Sequence, residues 1–285
     1  MNWLQTCPRK YQLSKIDMWV SKEFQVPLVF GILFHSAMEN YHRAKAAGED
    51  HEEATLTTLR YCLTAGQELS QSDDNTRTKF TLVRSVLWYL DQFKDDPIET
   101  VILENGKAAV ELSFRVALPI TNPDGTEYLW CGHIDRLGYT HEDYLVTDYK
   151  TTKGSLGDSF TAKFSPNNQV SGYIFGATSI LPREPLKKVM IDGVELKVGF
   201  NRYLRTFADR KPEQIEEWVE HTMYWIKMAE RFVEDDFWPM NLESCDKFGG
   251  CVFRGICSKS PSMRPQWLKG SFKQKNWNPL ESREA

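Results

Sequence analysis

The chain has 285 residues and a formal net charge of −4, so it carries no global positive field that would attract a polyanion. It is 41% hydrophobic and 13% aromatic, which excludes a disordered chain and supplies a large buried core. No apolar run approaches the roughly 18 residues that span a bilayer, and the first residues lack a signal-peptide core. We therefore expect a cytoplasmic protein with no membrane contact, whose six cysteines are reduced or bind metal.

The first part of the chain is predicted to be mainly helical. A helix is expected over residues 34–47, with His35 and Glu39 one turn apart on one face. Apolar residues at helical spacing predict two further helices, over residues 52–70 and 76–93. A lone histidine in a helix is more often packed or exposed than a ligand, so the role of His35 depends on motifs further along the chain.

A series of strands follows the helices. Residues 101–103 and 108–119 have strand composition, and Glu111 lies on the polar face of the second strand. The turn sequence Asn-Pro-Asp-Gly at 122–125 sends the chain back into a strand over residues 129–138. The strand pattern alone makes Glu111 a solvent-facing glutamate.

The most informative stretch is Gly-His-Ile-Asp-Arg at 132–136, which a short polar turn connects to a further predicted strand over residues 144–151. The two strands are predicted to form an antiparallel hairpin. Asp148 and Lys150 then share a face, because strand side chains alternate with a period of two. A tight turn would place Asp135 within about a residue of the position opposite Asp148.

Two carboxylates in one place can bind a hard divalent cation, which would activate water and neutralise charge on a phosphodiester. Lys150 could then orient the attacking water or stabilise the transition state. The alternative is a solvated ion pair on an edge strand, which is common. The apolar neighbours Ile134 and Val146 favour burial, and buried carboxylates need a partner or a metal.

The second half of the chain adds one more helix face of interest. A helix predicted over residues 164–180 places Gln169 and Tyr173 one turn apart, where the tyrosine ring either contacts a nucleobase or packs in the core. Strands over 187–206 and a long amphipathic helix over 212–234 follow. Clusters of basic residues are candidate nucleic-acid surfaces, and one of them consists of Arg202, Arg205, Arg210 and Lys211.

Near the C-terminus, three cysteines are separated by five residues each, with glycines that let the backbone wrap closely around a bound group: Cys245, Cys251 and Cys257. Four thiolates can bind zinc or an iron–sulfur cluster, and ligand type alone does not separate the two. Cys62 and Cys131 are predicted to be inert thiols.

Together these motifs resemble the RecB-like branch of the PD-(D/E)xK nuclease superfamily, in particular the CRISPR-associated iron–sulfur exonucleases and their phage-encoded relatives. Gly-Ile-Leu-Phe-His at 31–35 resembles the helix that supplies a metal-binding histidine. The segments at 132–136, 148–151 and 169–173 resemble the G-x-x-D-R strand, the D-x-K-T strand and the Q-x-x-x-Y helix. Cys7, together with the three later cysteines, resembles the divided cluster-binding set of the family. The resemblance also implies that a glutamate at about the position of Glu111 can neighbour the metal site.

The resemblance implies an α/β fold with a restriction-endonuclease-like PD-(D/E)xK core, a mixed central sheet, an N-terminal helical arch and a C-terminal metal-cluster cap. It divides the chain into five successive segments. These are an N-terminal segment with the first cluster cysteine at 1–30, a helical region with the metal-binding histidine at 31–97, a nuclease core at 98–239, a cysteine segment at 240–260 and a loosely ordered tail at 261–285.

The implied activity is metal-dependent exonucleolytic cleavage of DNA, with a preference for single-stranded or open ends. The implied partners are recombination or CRISPR adaptation proteins in a bacterial, archaeal or phage-infected cell. A catalytically idle DNA-binding or assembly subunit and a structure-specific endonuclease are the alternatives. The implied site residues are Asp135, Asp148 and Lys150 for catalysis; His35, Asp135, Asp148 and the Tyr149 carbonyl for Mg²⁺ or Mn²⁺; Gln169 and Tyr173 for DNA; and Cys7, Cys245, Cys251 and Cys257 for a 4Fe–4S cluster, with zinc as the alternative.

Overall fold

The computed structural model describes residues 1–141, 143–181, 186–247, 250–276 and 278. The α-helices are α1 (Asn2–Thr6), α2 (Pro8–Tyr11), α3 (Val26–Ala46), α4 (His51–Thr64), α5 (Lys79–Gln92), α6 (Asp158–Thr161), α7 (Asn168–Ile180), α8 (Pro212–Glu234), α9 (Arg254–Cys257) and α10 (Arg264–Ser271). The strands are β1 (Trp19–Ser21), β2 (Glu99–Thr100), β3 (Val110–Thr121), β4 (Glu127–Tyr139), β5 (Tyr144–Thr152), β6 (Lys188–Leu196), β7 (Asn201–Asp209) and β8 (Phe272–Gln274).

Residue contacts divide the chain into two units. One unit contains Met1–Phe24, Leu118–Tyr128 and Glu216–Glu281, and the other contains Gln25–Ala117 and Leu129–Ile215. Both units are discontinuous in sequence, which a division into successive segments does not express. Within the described residues, no helix has the length and apolar character that crossing a membrane requires.

The larger unit is built on a mixed sheet. The strand order is β2-β4-β5-β6-β7, and β3 also pairs with β4. The β5–β6 ladder is parallel, whereas β4–β5 and β6–β7 are antiparallel. The predicted α/β class with a mixed central sheet is therefore confirmed, as is the hairpin of β4 and β5.

The two faces of β5 enter different hydrophobic clusters, which decides where its polar residues point. Tyr149 packs with Phe34 of α3 and Leu82 of α5 in one cluster. Val146 packs with Ile174 of α7 in the other cluster. Because strand residues alternate, Asp148 and Lys150 lie on the same face as Val146, toward α7.

Local capping sets the start of the helices near the site. The side chain of Asn167 accepts hydrogen bonds from the backbone N–H groups of Gln169 (2.8 Å) and Val170 (3.2 Å), so α7 begins at Asn168, later than predicted. By contrast, α3 begins at Val26, eight positions earlier than predicted, with a proline in its first turn, where the missing N–H costs nothing. Helix α8 has the predicted bounds.

The prediction of a loosely ordered tail is wrong for the residues up to Gln274. Helix α10 begins with a proline, which is tolerated in a first turn, and β8 pairs antiparallel with β1. Leu268 and Phe272 are buried with Leu13 and Phe253 in the smaller unit, so two well-placed apolar residues order a segment rich in proline and charge.

The prediction of a basic surface at Arg202, Arg205, Arg210 and Lys211 is also wrong, because two of these arginines form hydrogen bonds within the larger unit. Arg205 donates from Nε to Asp192 at 2.9 Å. Arg210 is buried and donates to Ser171 Oγ at 3.1 Å and to the Phe164 carbonyl at 2.8 Å. These guanidinium groups stabilise the fold and present no surface to nucleic acid.

Helix α7 approaches the sheet closely through small residues. A Cβ atom on Gly132 of β4 would lie 2.6 Å from Cζ of Phe114, and a Cβ atom on Gly176 of α7 would collide with the same ring. We expect Gly176→Ala to lower the free energy of unfolding by about 1–3 kcal/mol, because an added methyl group would overpack this contact. Urea denaturation measures the change.

Gly157→Ala is the matched control, because nothing lies within 4 Å of a Cβ atom there and the residue has an extended backbone. Adding Phe114→Leu to Gly176→Ala should recover part of the stability. Equal effects of Gly176→Ala and Gly157→Ala would show that the glycine contact does not govern packing.

Candidate active site

Helix α3 brings His35 to two neighbouring strands of the sheet. Its Nδ1 lies 3.1 Å from Oδ2 of Asp135 on β4, and its Nε2 lies 2.7 Å from the carbonyl oxygen of Tyr149 on β5. The side chain is about one quarter exposed. His35 therefore joins the helix to both strands at the place where the sequence predicts a metal site.

Asp135 is the next element of the site. Its Oδ2 also accepts a hydrogen bond of 3.0 Å from the backbone N–H of Tyr149. The β4–β5 register ends with Arg136 opposite Thr147, so Asp135 and Asp148 are the next residues along the two strands, and the charge of Asp135 acts on Asp148. The two carboxylates thus enter one site from adjacent strands.

Glu111 is the residue that sequence reasoning did not assign to the site. One ligand atom each of His35, Glu111 and Asp135 lies within 4.8 Å of the others, so these three residues could together hold a metal ion. Glu111 has a φ of 48°, a left-handed conformation that a non-glycine residue seldom adopts. The family expectation of a nearby glutamate was the one signal in the sequence, and a regular strand could not predict this local backbone.

Asp148 lies in a hydrogen-bonded group of its own. Lys150 Nζ is 2.6 Å from Asp148 Oδ2 and 2.8 Å from Oδ1. Tyr173 donates its hydroxyl hydrogen to Asp148 Oδ1 at 3.2 Å, and Gln169 donates from Nε2 to the Tyr173 hydroxyl at 2.7 Å and to Asp148 Oδ1 at 3.4 Å. Asp148 is only 1% exposed, so these donors compensate a buried carboxylate.

Base stacking by Tyr173 does not fit this arrangement. The residue is 8% exposed, and its ring is part of the hydrophobic cluster between α7 and the sheet. A stacking platform must be open to solvent, so the burial of Tyr173 favours the core alternative, and its contact with DNA stays a prediction. Gln169 is half-buried beside Asp148, and its contact with DNA stays a prediction.

The charged groups shift one another's pKa in opposite directions. Burial works against the charge of His35, but the adjacent Asp135 carboxylate raises the pKa of His35 above its usual value. Burial also works against ionised Asp135, yet His35 and Lys150 hold its pKa below the ordinary value. For Asp148, burial outweighs the attraction of Lys150 and raises the pKa. The environments therefore distinguish the two carboxylates, as acid and base sites often require.

Behind the site, a buried polar chain holds the strands. The Tyr149 hydroxyl lies 3.0 Å from His42 Nε2, and His42 Nδ1 lies 3.4 Å from Thr100 Oγ1. Arg136, which is 3% exposed, donates from Nε to Thr100 Oγ1 at 3.0 Å. Burial, with the nearby arginine charges, holds the pKa of His42 well below its usual value, so this histidine is a neutral structural residue.

The four cysteines predicted to bind a cluster all belong to the smaller unit and are free thiols. Cys7 is buried, and its sulfur accepts from the backbone N–H of Asn241 at 3.5 Å. Burial raises the pKa of Cys257, and the sulfur groups of Cys251 and Cys7 are close enough to raise it further. Within the described residues, no three of these sulfur atoms lie within 4.8 Å of one another.

A sequence model of the PD-(D/E)XK nuclease superfamily matches residues 1–258, which is most of the chain and includes all of the site described above. The chain belongs to this superfamily. The predicted RecB-like resemblance is thereby confirmed at the level of the superfamily, and a nuclease with nucleic acid as its substrate follows from the membership. No curated protein matches the sequence.

Two solved structures are similar to this PD-(D/E)XK nuclease at low sequence identity. A proposed exonuclease from Eubacterium rectale is 12% identical, with a TM-score of 0.46, and the match covers 84% of this chain and 79% of the other. The protein SSO0001 is also 12% identical, with a TM-score of 0.33, and the match covers 90% of this chain and 96% of the other. Neither likeness is close enough to carry an argument about substrate.

Tyr173 provides a test of how the nuclease site is supported. We expect Tyr173→Ala to lower the free energy of unfolding by about 3–5 kcal/mol, because it removes a buried ring. Tyr173→Phe keeps the ring and should cost only about 0.5–1.5 kcal/mol, the range for one hydrogen bond. Unchanged stability of Tyr173→Ala, together with weaker binding of single-stranded DNA, would restore the stacking hypothesis.

Proposed function

We propose that this nuclease is a metal-dependent deoxyribonuclease that removes nucleotides from single-stranded or open DNA ends. The observation that carries the proposal is the proximity of His35, Glu111 and Asp135 to one another, beside the Asp148–Lys150 pair. DNA ends of this kind arise in recombination and CRISPR adaptation, which the sequence resemblance puts forward as the setting.

The donor set fits a divalent cation. Carboxylate oxygens are the ligands that Mg²⁺ and Mn²⁺ prefer, and a single imidazole adds a nitrogen that Mn²⁺ accepts more readily than Mg²⁺ does. His35, Glu111 and Asp135 would hold the ion, with Asp148 and the Tyr149 carbonyl as further ligands. When bound, the ion supplies Lewis-acid polarisation of the phosphate and a water of lowered pKa.

The chain's own residues perform the remaining tasks. The Tyr149 N–H and His35 hold the Asp135 carboxylate in a fixed orientation. Asp148, buried and supported by hydrogen bonds from Tyr173 and Gln169, holds the Lys150 ammonium group, whose side chain is 31% exposed. A partly exposed cation at this position can donate to the charge that develops on the phosphate oxygens in the transition state.

Lys150→Ala is expected to lower the single-turnover cleavage rate about a hundredfold or more, the range for losing a transition-state donor, while DNA affinity changes little. Lys153→Ala, three residues further along the chain and paired with Asp74, is the matched control and should keep the wild-type rate. Labelled single- and double-stranded DNA with Mg²⁺, Mn²⁺ or EDTA provides the assay. Undiminished DNA cleavage by the wild type in EDTA would contradict the proposed function. So would the absence of any cleavage with Mg²⁺ and with Mn²⁺.

We further propose that Cys7, Cys245, Cys251 and Cys257 bind a 4Fe–4S cluster that staples the chain ends within the smaller unit. Four thiolates can bind zinc or an iron–sulfur cluster, and the resemblance to the iron–sulfur exonucleases favours the cluster. Because such a site rarely exists in an unfolded chain, its binding free energy contributes directly to folding.

Cys251→Ser should remove the iron and lower the melting temperature of anaerobically purified protein. Cys131→Ser is the matched control, since Cys131 has a similar partial exposure and lies outside the set. Iron, sulfide and zinc analysis distinguishes the outcomes. Stoichiometric zinc without iron would show that the four cysteines bind zinc in place of the cluster. The absence of both metals would exclude a metal staple.

A further inference from the structure

A row of polar side chains leads along β3 and β4 away from His35, Glu111 and Asp135, the proposed metal ligands, which we call the metal-binding group. We call this row the β3–β4 ladder and define it by three residue pairs on the two strands: Glu111 with Asp135, Ser113 with His133, and Arg115 with Cys131. The first pair belongs to the metal-binding group. The second is joined by a contact of 2.9 Å between Ser113 Oγ and His133 Nδ1. In the third, the charge of Arg115 acts on the Cys131 thiol.

The residues between these positions point the other way. Phe114 and Ile134 are buried in the hydrophobic cluster beneath the sheet, and Leu112 packs against it. Since strand side chains alternate, Ser113, Arg115, Cys131 and His133 lie on the opposite face of these strands. They lie two and four residues along β3 and β4 from Glu111 and Asp135, so the ladder leads away from the proposed metal ligands and is not part of the core.

The ladder changes in charge with distance from the metal-binding group. Its first pair is acidic, its second contains a hydroxyl and an imidazole, and its third presents an arginine. Arg115 is exposed, and among the described residues no carboxylate oxygen lies within 4.0 Å of its guanidinium group. Each pair is roughly 7 Å from the next, because a strand rises about 3.3 Å per residue. A polyanionic strand whose scissile phosphate is held at the acidic end would meet hydrogen-bond donors and then a cation.

We propose that Ser113, His133 and Arg115 form a phosphate subsite, which binds the backbone of single-stranded DNA next to the scissile phosphate. This inference rests on the proposed nuclease function and names the surface that holds its substrate. The Ser113–His133 contact orients the pair, and Arg115 supplies the charge. Contacts of this kind position the strand without reading its bases, so binding should be independent of sequence.

The experiment compares one substrate that is long enough to contact the ladder with one that is too small to do so. A short single-stranded oligonucleotide extends over the ladder, whereas thymidine 5′-p-nitrophenyl phosphate is a diester too small to reach it. Arg115→Gln should raise KM for the oligonucleotide about tenfold with little change in kcat, as expected for losing a hydrogen bond to a charged group. It should leave hydrolysis of the small ester unchanged.

Variants with matched chemistry separate the subsite from general effects. Arg115→Lys should retain most of the oligonucleotide affinity, because the charge remains. Arg60→Gln removes an exposed arginine from α4 and should leave the hydrolysis of both substrates unchanged. The double variant Ser113→Ala/His133→Ala should weaken oligonucleotide binding in the same way, with its melting temperature measured alongside to confirm folding.

Salt dependence provides a second readout. On a Lys150→Ala background, which slows cleavage about a hundredfold or more, Arg115→Gln should lower the slope of log binding constant against log salt by about 0.7, because it removes one cation from the phosphate backbone. If Arg115→Gln slows hydrolysis of the oligonucleotide and of the small ester equally, Arg115 acts through the metal-binding group. If it slows hydrolysis of neither substrate, the subsite is excluded. If the wild type cleaves neither substrate, the nuclease proposal fails, and the salt-dependent binding measurement still decides the subsite.

Discussion

The site depends on the peptide of Tyr149. Its N–H donates to Asp135 at 3.0 Å, and its carbonyl oxygen lies 2.7 Å from His35 Nε2, so one residue of β5 fixes a strand neighbour and a helix at once. Its ring is buried against the α3–α5 layer, and its hydroxyl contacts His42. A residue held at its backbone and at the far end of its side chain has little freedom to move. The positions of His35 and Asp135 in the proposed metal site follow from that constraint.

Alternation along β5 then distributes the functions. Tyr149 faces the helical layer, while Asp148 and Lys150 face α7, where Gln169 and Tyr173 support the carboxylate. Both aspartates are thus enclosed by donors, but by different ones, and their pKa values shift in opposite directions. Buried carboxylates without such partners would be costly, so the polar support is a condition of folding as much as of chemistry.

Much of this arrangement could be predicted from the sequence because it depends on short-range patterns. The β4–β5 hairpin follows from strand composition around a short polar turn, and the proximity of Asp135 and Asp148 follows from its register. The amphipathic pattern of α8 also sufficed for its bounds. These features need no knowledge of distant parts of the chain.

The predictions failed where tertiary contacts determine the position of a side chain or the order of a segment. Glu111 enters the site through a left-handed backbone at the start of β3, which no strand pattern encodes. Tyr173 has the same helical spacing whether its ring is exposed or buried, and only packing against the sheet settles the choice. Phe272 orders the C-terminal segment by joining a cluster with Leu13, a contact between opposite ends of the chain.

The central claim is that His35, Glu111 and Asp135 bind one divalent cation. Titration of the folded protein with Mn²⁺, followed by electron paramagnetic resonance of the free ion, tests it without requiring any cleavage. The wild type should bind Mn²⁺ at this site, and Glu111→Gln and Asp135→Asn should each weaken binding about tenfold or more. Glu52→Gln, an exposed glutamate on α4, is the control and should leave the affinity unchanged. Wild-type Mn²⁺ affinity in both site variants would contradict the account.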